Sequence, residues 1–154
     1  MAGAGEEPEQ CEAGFALQGH VDRTTRLAFL LLILAQAAHS AEEYAFRLYD
    51  LLAPAHFFAD LFGFDRPIGF ALFNLAIVSF GLWCWFARVR PQHRSARGFA
   101  WFWTLLELGN GLGHIGLALL AGGYFPGLFT APLLLATGGW LAFRLIRTRE
   151  GARS

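Results

Sequence analysis

Within the stretch HSAEE, residues 39 to 43, a histidine and two adjacent glutamates lie close together. On a helix turning about 100° per residue, His39, Glu42 and Glu43 fall within about 100° of one another and form one polar stripe. Further along, Glu107, Asn110 and His114 fall within about 60° by the same rule. Imidazole and carboxylate are ligands favoured by zinc and iron, and two histidines with one carboxylate leave the other glutamate as a general base. These residue types predict a divalent transition-metal site, zinc or iron, made by His39, Glu42, Glu43 and His114. Glu42 and Glu43 would then be the catalytic carboxylates of a water-activating centre. Asn74, Glu107 and Asn110 are expected around it, as orienting hydrogen-bond partners or a proton path.

The elements that must carry these groups are apolar. The chain of 154 residues is 55% hydrophobic and 16% aromatic, with a mean hydropathy of +0.41, too apolar for a soluble domain of this size. Apolar stretches at about 27–49, 68–88, 98–121 and 126–147 are each long enough, at about 1.5 Å per residue, to cross a hydrocarbon core of about 30 Å. The fold class expected is all-α, a polytopic membrane bundle of four transmembrane helices. A short interfacial helix is expected after the first, in APAHFFADLFGFDRP between Pro54 and Pro67. Residues 1–22 read as a polar, disordered tail, 23–148 as the transmembrane domain and 149–154 as a short C-terminal tail. Arg23 and Arg26, LAFLLLIL and AQA also resemble a signal peptide with its cleavage site, a reading opposed by the long acidic lead-in.

All twelve basic residues are arginine, and their placement gives an orientation. Arg23 and Arg26 precede the first span, Arg88, Arg90, Arg94 and Arg97 fill the second connection, and Arg144, Arg147, Arg149 and Arg153 follow the fourth. Both termini are therefore expected on the cytoplasmic side of a bacterial-type cytoplasmic membrane. Trp83, Trp85, Trp101 and Trp103 would form an aromatic belt at the inner boundary. The lipid bilayer is the expected partner, and the balanced charge gives no sign of nucleic acid. Cys11 and Cys84 lack metal or redox spacing and read as incidental thiols. His20, His56 and His93 fall outside the spans.

With spans one and three running in the same direction, Glu42, Glu43 and His114 reach one level, about 22–24 Å from the inner boundary, and Asn74 on span two reaches the same outer third. A stripe facing lipid costs several kcal/mol per ionisable group, so the stripes are expected to face each other. Gly109, Gly111, Gly113 and Gly116 remove bulk from the third helix and would let it lie against the first.

HSAEE at 39 to 43, the histidine of NGLGHIGLAL at 114 and YFPG at 124 to 127 together resemble the HXXEE family of small integral membrane proteins, over residues 25 to 147. The resemblance points to His39, Glu42, Glu43, His114, Tyr124, Pro126 and Gly127 as the marked positions and implies no particular reaction. EEYAFR, ending at Arg47, also resembles the paired-glutamate motif of intramembrane CAAX proteases and bacteriocin-processing proteins, which would make the centre a metal-free, glutamate-dependent protease. A third reading is non-enzymatic: Arg47 pairs with Glu43, His39 with Glu42 and Glu107 with Asn110, in the polar core of a scaffold or a small transport or partner-binding protein. YFPG reads as an outer turn with Pro126 opening the fourth helix, and a lid over the site is open to it.

Overall fold

The computed structural model describes residues 21–52, 57 and 60–150, with side chains up to residue 147. Most of the expected N-terminal tail, Cys11, His20, Pro54, His56 and residues 151–154 lie outside that set. Every regular element among the described residues is helical. Helix α1, Arg23–Ala45, starts where Asp22 accepts the Thr25 amide at 2.7 Å, capping the first turn. It gives way at Arg47, in the left-handed region at φ 59°, to a short 3-10 turn, Leu48–Asp50. Between this turn and the next helix, residues 60–62 are helical.

Helix α2, Arg66–Cys84, has Pro67 in its first turn, where the missing amide hydrogen is not needed. A π turn, Trp85–Val89, extends it, with Arg90 N donating to Trp85 O at 2.8 Å. Helix α3, Ala96–Ala121, closes on Gly122 at φ 67°. There Gly122 N reaches Leu119 O at 3.2 Å and Gly123 N reaches Ala118 O at 3.1 Å, the paired bonds of a Schellman end. Helix α4, Ala131–Glu150, follows. Its start differs from the expected one at 126, because Gly127 at φ 95° holds a turn that no helix can pass through.

Three of these helical stretches, Arg23–Ala45, Arg66–Val89 and Ala96–Ala121, are long and apolar enough to cross a membrane. Their outward faces are apolar, with Leu75, Leu105, Leu112, Leu119 and Leu120 exposed, while His39, Glu43, Asn74, Glu107 and His114 are buried. This inverts the pattern of a water-soluble bundle.

Helix α4 packs most extensively on α3 and α1, and α1 also packs on α2, whereas α1 and α3 touch sparsely. The expected seat of the α3 glycines on the first helix is therefore corrected. A Cβ on Gly111 would lie 3.0 Å from Leu135 and 3.1 Å from the Ala131 carbonyl, both in α4, and Gly109 and Gly113 face open space. Residues two apart on a helix stand about 160° apart and residues four apart about 40°, so Gly109 and Gly113 share one face while Gly111 lies on the opposite one, against α4. Trp103, expected in the aromatic belt, goes to the core instead, under Gly81, where a Cβ would stand 3.2 Å from its ring.

The end of the bundle carrying the arginines is tied by polar contacts. Asp22 pairs with Arg144, Val21 N donates to Gln92 Oε1 at 2.9 Å, Arg26 Nη1 donates to Arg90 O at 3.1 Å, and Arg97 donates to Leu145 O. Burial works against the charge on Asp22, but the hydrogen bonds from Thr25 and Arg144 outweigh it and hold the carboxyl below its usual range.

Candidate metal centre

His39 and Glu43 are one turn apart on α1 and so stand on one face. His39 Nε2 lies 3.4 Å from Glu43 Oε1. From α3, His114 Nε2 approaches the same oxygen to 3.0 Å. The two imidazoles meet edge to face, with ring centroids 4.5 Å apart and planes at 85°. The ligand atoms of His39, Glu43 and His114 all lie within 4.8 Å of one another, and all three residues are buried.

The other face of each ring fixes its proton. His114 Nδ1 is 2.6 Å from the Pro126 carbonyl, which can only accept, so Nδ1 carries the hydrogen. His39 Nδ1 is 2.7 Å from Thr130 Oγ1, and that hydroxyl has a second partner, Glu42 Oε2 at 2.6 Å. A carboxylate takes the hydroxyl proton, which leaves the Thr130 oxygen as acceptor and Nδ1 of His39 as donor. Both Nε2 atoms are then free of hydrogen when the rings are neutral, and their lone pairs converge on Glu43. His39 Nε2 is buried without a hydrogen-bond partner.

Glu42 is differently placed from Glu43. The two are adjacent, so their side chains leave α1 about 100° apart, and Glu42 turns to the α3–α4 connection. Its Oε1 accepts from Tyr124 OH at 2.8 Å, Gly127 N at 3.1 Å and Phe129 N at 3.1 Å. Its Oε2 accepts from Thr130 N at 2.8 Å as well as the Thr130 hydroxyl. The carboxylate therefore supplies the acceptors that the amides ahead of α4 lack within the helix, where the helix dipole also favours a negative charge. Desolvation, and after it the hydrogen bond to Glu42, push the Tyr124 phenol up to about 12, so it remains a donor at neutral pH.

Gly127 brings this connection onto the rings. A Cβ there would stand 2.4 Å from His114 Nδ1 and 2.8 Å from His39 Cε1, and the φ of 95° favours glycine independently. Histidines, carboxylates and the YFPG turn are thus parts of one contact.

The remaining expected residues lie in a neighbouring hydrogen-bonded network. Asn110 Nδ2 is 3.3 Å from Gln36 Oε1 and 3.4 Å from Glu107 Oε2, Gln36 Nε2 donates to Ser40 Oγ at 3.1 Å, and Ser40 donates to Asn74 Oδ1 at 2.7 Å. These contacts join α1, α2 and α3 and satisfy amides that would otherwise be buried unpaired. Arg47 pairs with Asp50 at 2.8 Å and not with Glu43. Sequence reasoning missed Thr130, Gln36 and Ser40. Gln36 and Ser40 stand one turn apart beside His39, a position that marks them as part of its stripe. Thr130 has no comparable signal, since a threonine before a helix is an ordinary cap.

The fold and site together define an all-helical bundle with three membrane-length helices and a buried cluster of two histidines and a glutamate able to hold a metal ion. A family model described as a protein of unknown function with HXXEE motif matches residues 30–141, and the chain belongs to this HXXEE family. No curated protein and no solved structure gives a match.

Proposed function

We propose that the chain is an integral membrane protein of four spans and that His39, Glu43 and His114 hold zinc or iron at a hydrolytic centre. One observation carries the metal reading. Both Nδ1 hydrogens go to acceptors, so two imidazole lone pairs and a carboxylate oxygen face one another, a set that repels itself unless a cation or shared protons lie between. Two of the three separations between these atoms, 3.0 and 3.4 Å, are short enough for the atoms to share one cation, and the third is within 4.8 Å. Three protein ligands with one position left over is the pattern of catalytic rather than structural zinc. When bound, such an ion supplies Lewis-acid polarisation of a water or carbonyl oxygen.

The chain's own residues then have separable tasks. Pro126 O and Thr130 Oγ1 fix the two tautomers, and Gly127 presses the rings into place. Glu42, already accepting from five donors, holds the connection rather than serving as base. Glu107, buried two turns from His114, is the carboxylate left for proton exchange. The outward apolar faces support the membrane reading. The arginines at the Asp22 end support an inner, cytoplasmic placement of both termini.

The competing reading is a structural polar core, favoured by the bonds that link Gln36, Ser40, Asn74 and Asn110 across three helices. Metal analysis of untagged, detergent-purified protein separates the two. One zinc or iron per chain in the wild type, lost in His39→Ala and His114→Ala variants that stay monodisperse, is the expected result. A wild type without zinc, iron, manganese or copper after supplementation would leave the polar core as the better account.

A further inference from the structure

From the contacts around Glu42 we infer that the 124–130 connection is a hinged cover over the metal centre, latched by Glu42, and that its opening is the step that admits and releases the ion. The inference rests on the metal reading above. Helices α1 and α3 bring the three ligands, and the connection closes over them: the Gly127 backbone is in contact with both imidazoles, and His114, at 6% exposure, and His39, at 0%, lie behind it. The outer side of the cover is open, with Phe129 70% and Tyr124 40% exposed. Their rings stack at 4.7 Å between centroids, and Tyr124 rests on Phe46 at 5.2 Å.

The way this cover is held suits a latch better than a packed wall. Five bonds from Tyr124, Gly127, Phe129 and Thr130 end on one carboxylate, so Glu42 is the main tie of the segment, beside the bonds from His114 to Pro126 O and from His39 to Thr130. Gly122, at φ 67°, stands at its α3 end with open space where a side chain would be, a place where the chain can pivot at small steric cost. Thr130 joins the latch to the ligands. Its hydroxyl bridges Glu42 and His39, so lifting the segment also removes the bond that orients the His39 ring. Opening the cover and loosening a ligand are one event.

The test is zinc uptake and release, followed by stopped flow against a chromophoric chelator on the metal-stripped full chain in detergent. Wild type, Glu42→Gln and Tyr124→Phe are compared. Uptake at least ~10-fold faster in Tyr124→Phe, the effect of losing one hydrogen bond to a charged acceptor, and faster again in Glu42→Gln, is the expected result, with release accelerated too. Release that quickens while uptake stays at the wild-type rate would make Glu42 a mere support and overturn the cover. Equal rates in all three proteins would overturn it as well. A wild type that holds no zinc removes the metal reading itself, a result distinct from wild type that holds zinc behind an insensitive barrier. Should Glu42→Gln lose its helical circular dichroism, Tyr124→Phe decides, since its phenol makes no bond to a ligand residue.

Discussion

His39 and His114 stand edge to face across the junction of α1 and α3, and both point Nε2 at one oxygen of Glu43 while turning Nδ1 to the backbone or hydroxyl of a single connection. The ligand atoms and the atoms that orient them therefore come from different parts of the chain. Changes in the two sets should be distinguishable by experiment.

Glu43→Gln keeps the size of the side chain but weakens the shared acceptor of both imidazoles. Zinc affinity should fall by more than the ~100-fold that marks the upper range for outer partners. Glu107→Gln should leave the metal content at the wild-type level. Metal analysis with competitive chelation on both variants checks the contrast, and equal losses would count against the trio.

Gly127→Ala places a methyl group where it meets both rings and forces alanine to a positive φ. Backbone strain of about 1–3 kcal/mol is expected before any displacement of the histidines. A lower midpoint of thermal unfolding and loss of bound metal should appear together. A variant with wild-type values of both would argue that the connection does not press on the rings.

Gly111→Leu should disturb the α3–α4 contact through Leu135 and Ala131, at about 1–3 kcal/mol for overpacking. Gly109→Leu, which meets nothing, should be nearly neutral. Thermal unfolding of the two in the same detergent checks this, and a reversed order would place the wrong helix against α3.

The Asp22–Arg144 pair gives a pH dependence. The folded carboxyl titrates below the unfolded value of about 3.9, so its contribution is present above that range and is lost as pH falls through the folded value. Asp22→Asn should lower stability near pH 6 and narrow the gap from wild type as the medium is acidified below about pH 4. Unfolding midpoints across that range provide the check. A gap that widens on acidification would contradict the sign.

Reporter fusions at Pro91 and Gly63 should fall in opposite compartments, the first with the arginines on the inner side. Like signals from both would remove the proposed orientation.

Much of this is legible in the sequence, and the remainder depends on contacts between distant segments. The long helices follow from unbroken apolar length, and the stripe containing His39 and Glu43 follows from angular spacing. The start of α4 is hidden because residues 126–130 are mostly apolar, while the turn they adopt is held by Glu42 from another helix. For the same reason the separate tasks of Glu42 and Glu43 cannot be read from their adjacency. Spacing shows that they diverge, but only packing determines which one meets the histidines. The glycine series on α3 shows its small-residue character in the sequence, whereas its partner helix depends on how α4 docks.

The bridge from Glu42 through Thr130 to His39 bears on biosynthesis. Thr130 is the last residue of the assembly to leave the ribosome, and the hydroxyl it provides is needed before His39 has its final ring orientation. A nascent chain that ends with its first three helices would carry both imidazoles without the connection that packs on them. On the metal reading, the site is finished only once Thr130 has been made, and a chain truncated before it should hold metal less tightly than the full chain.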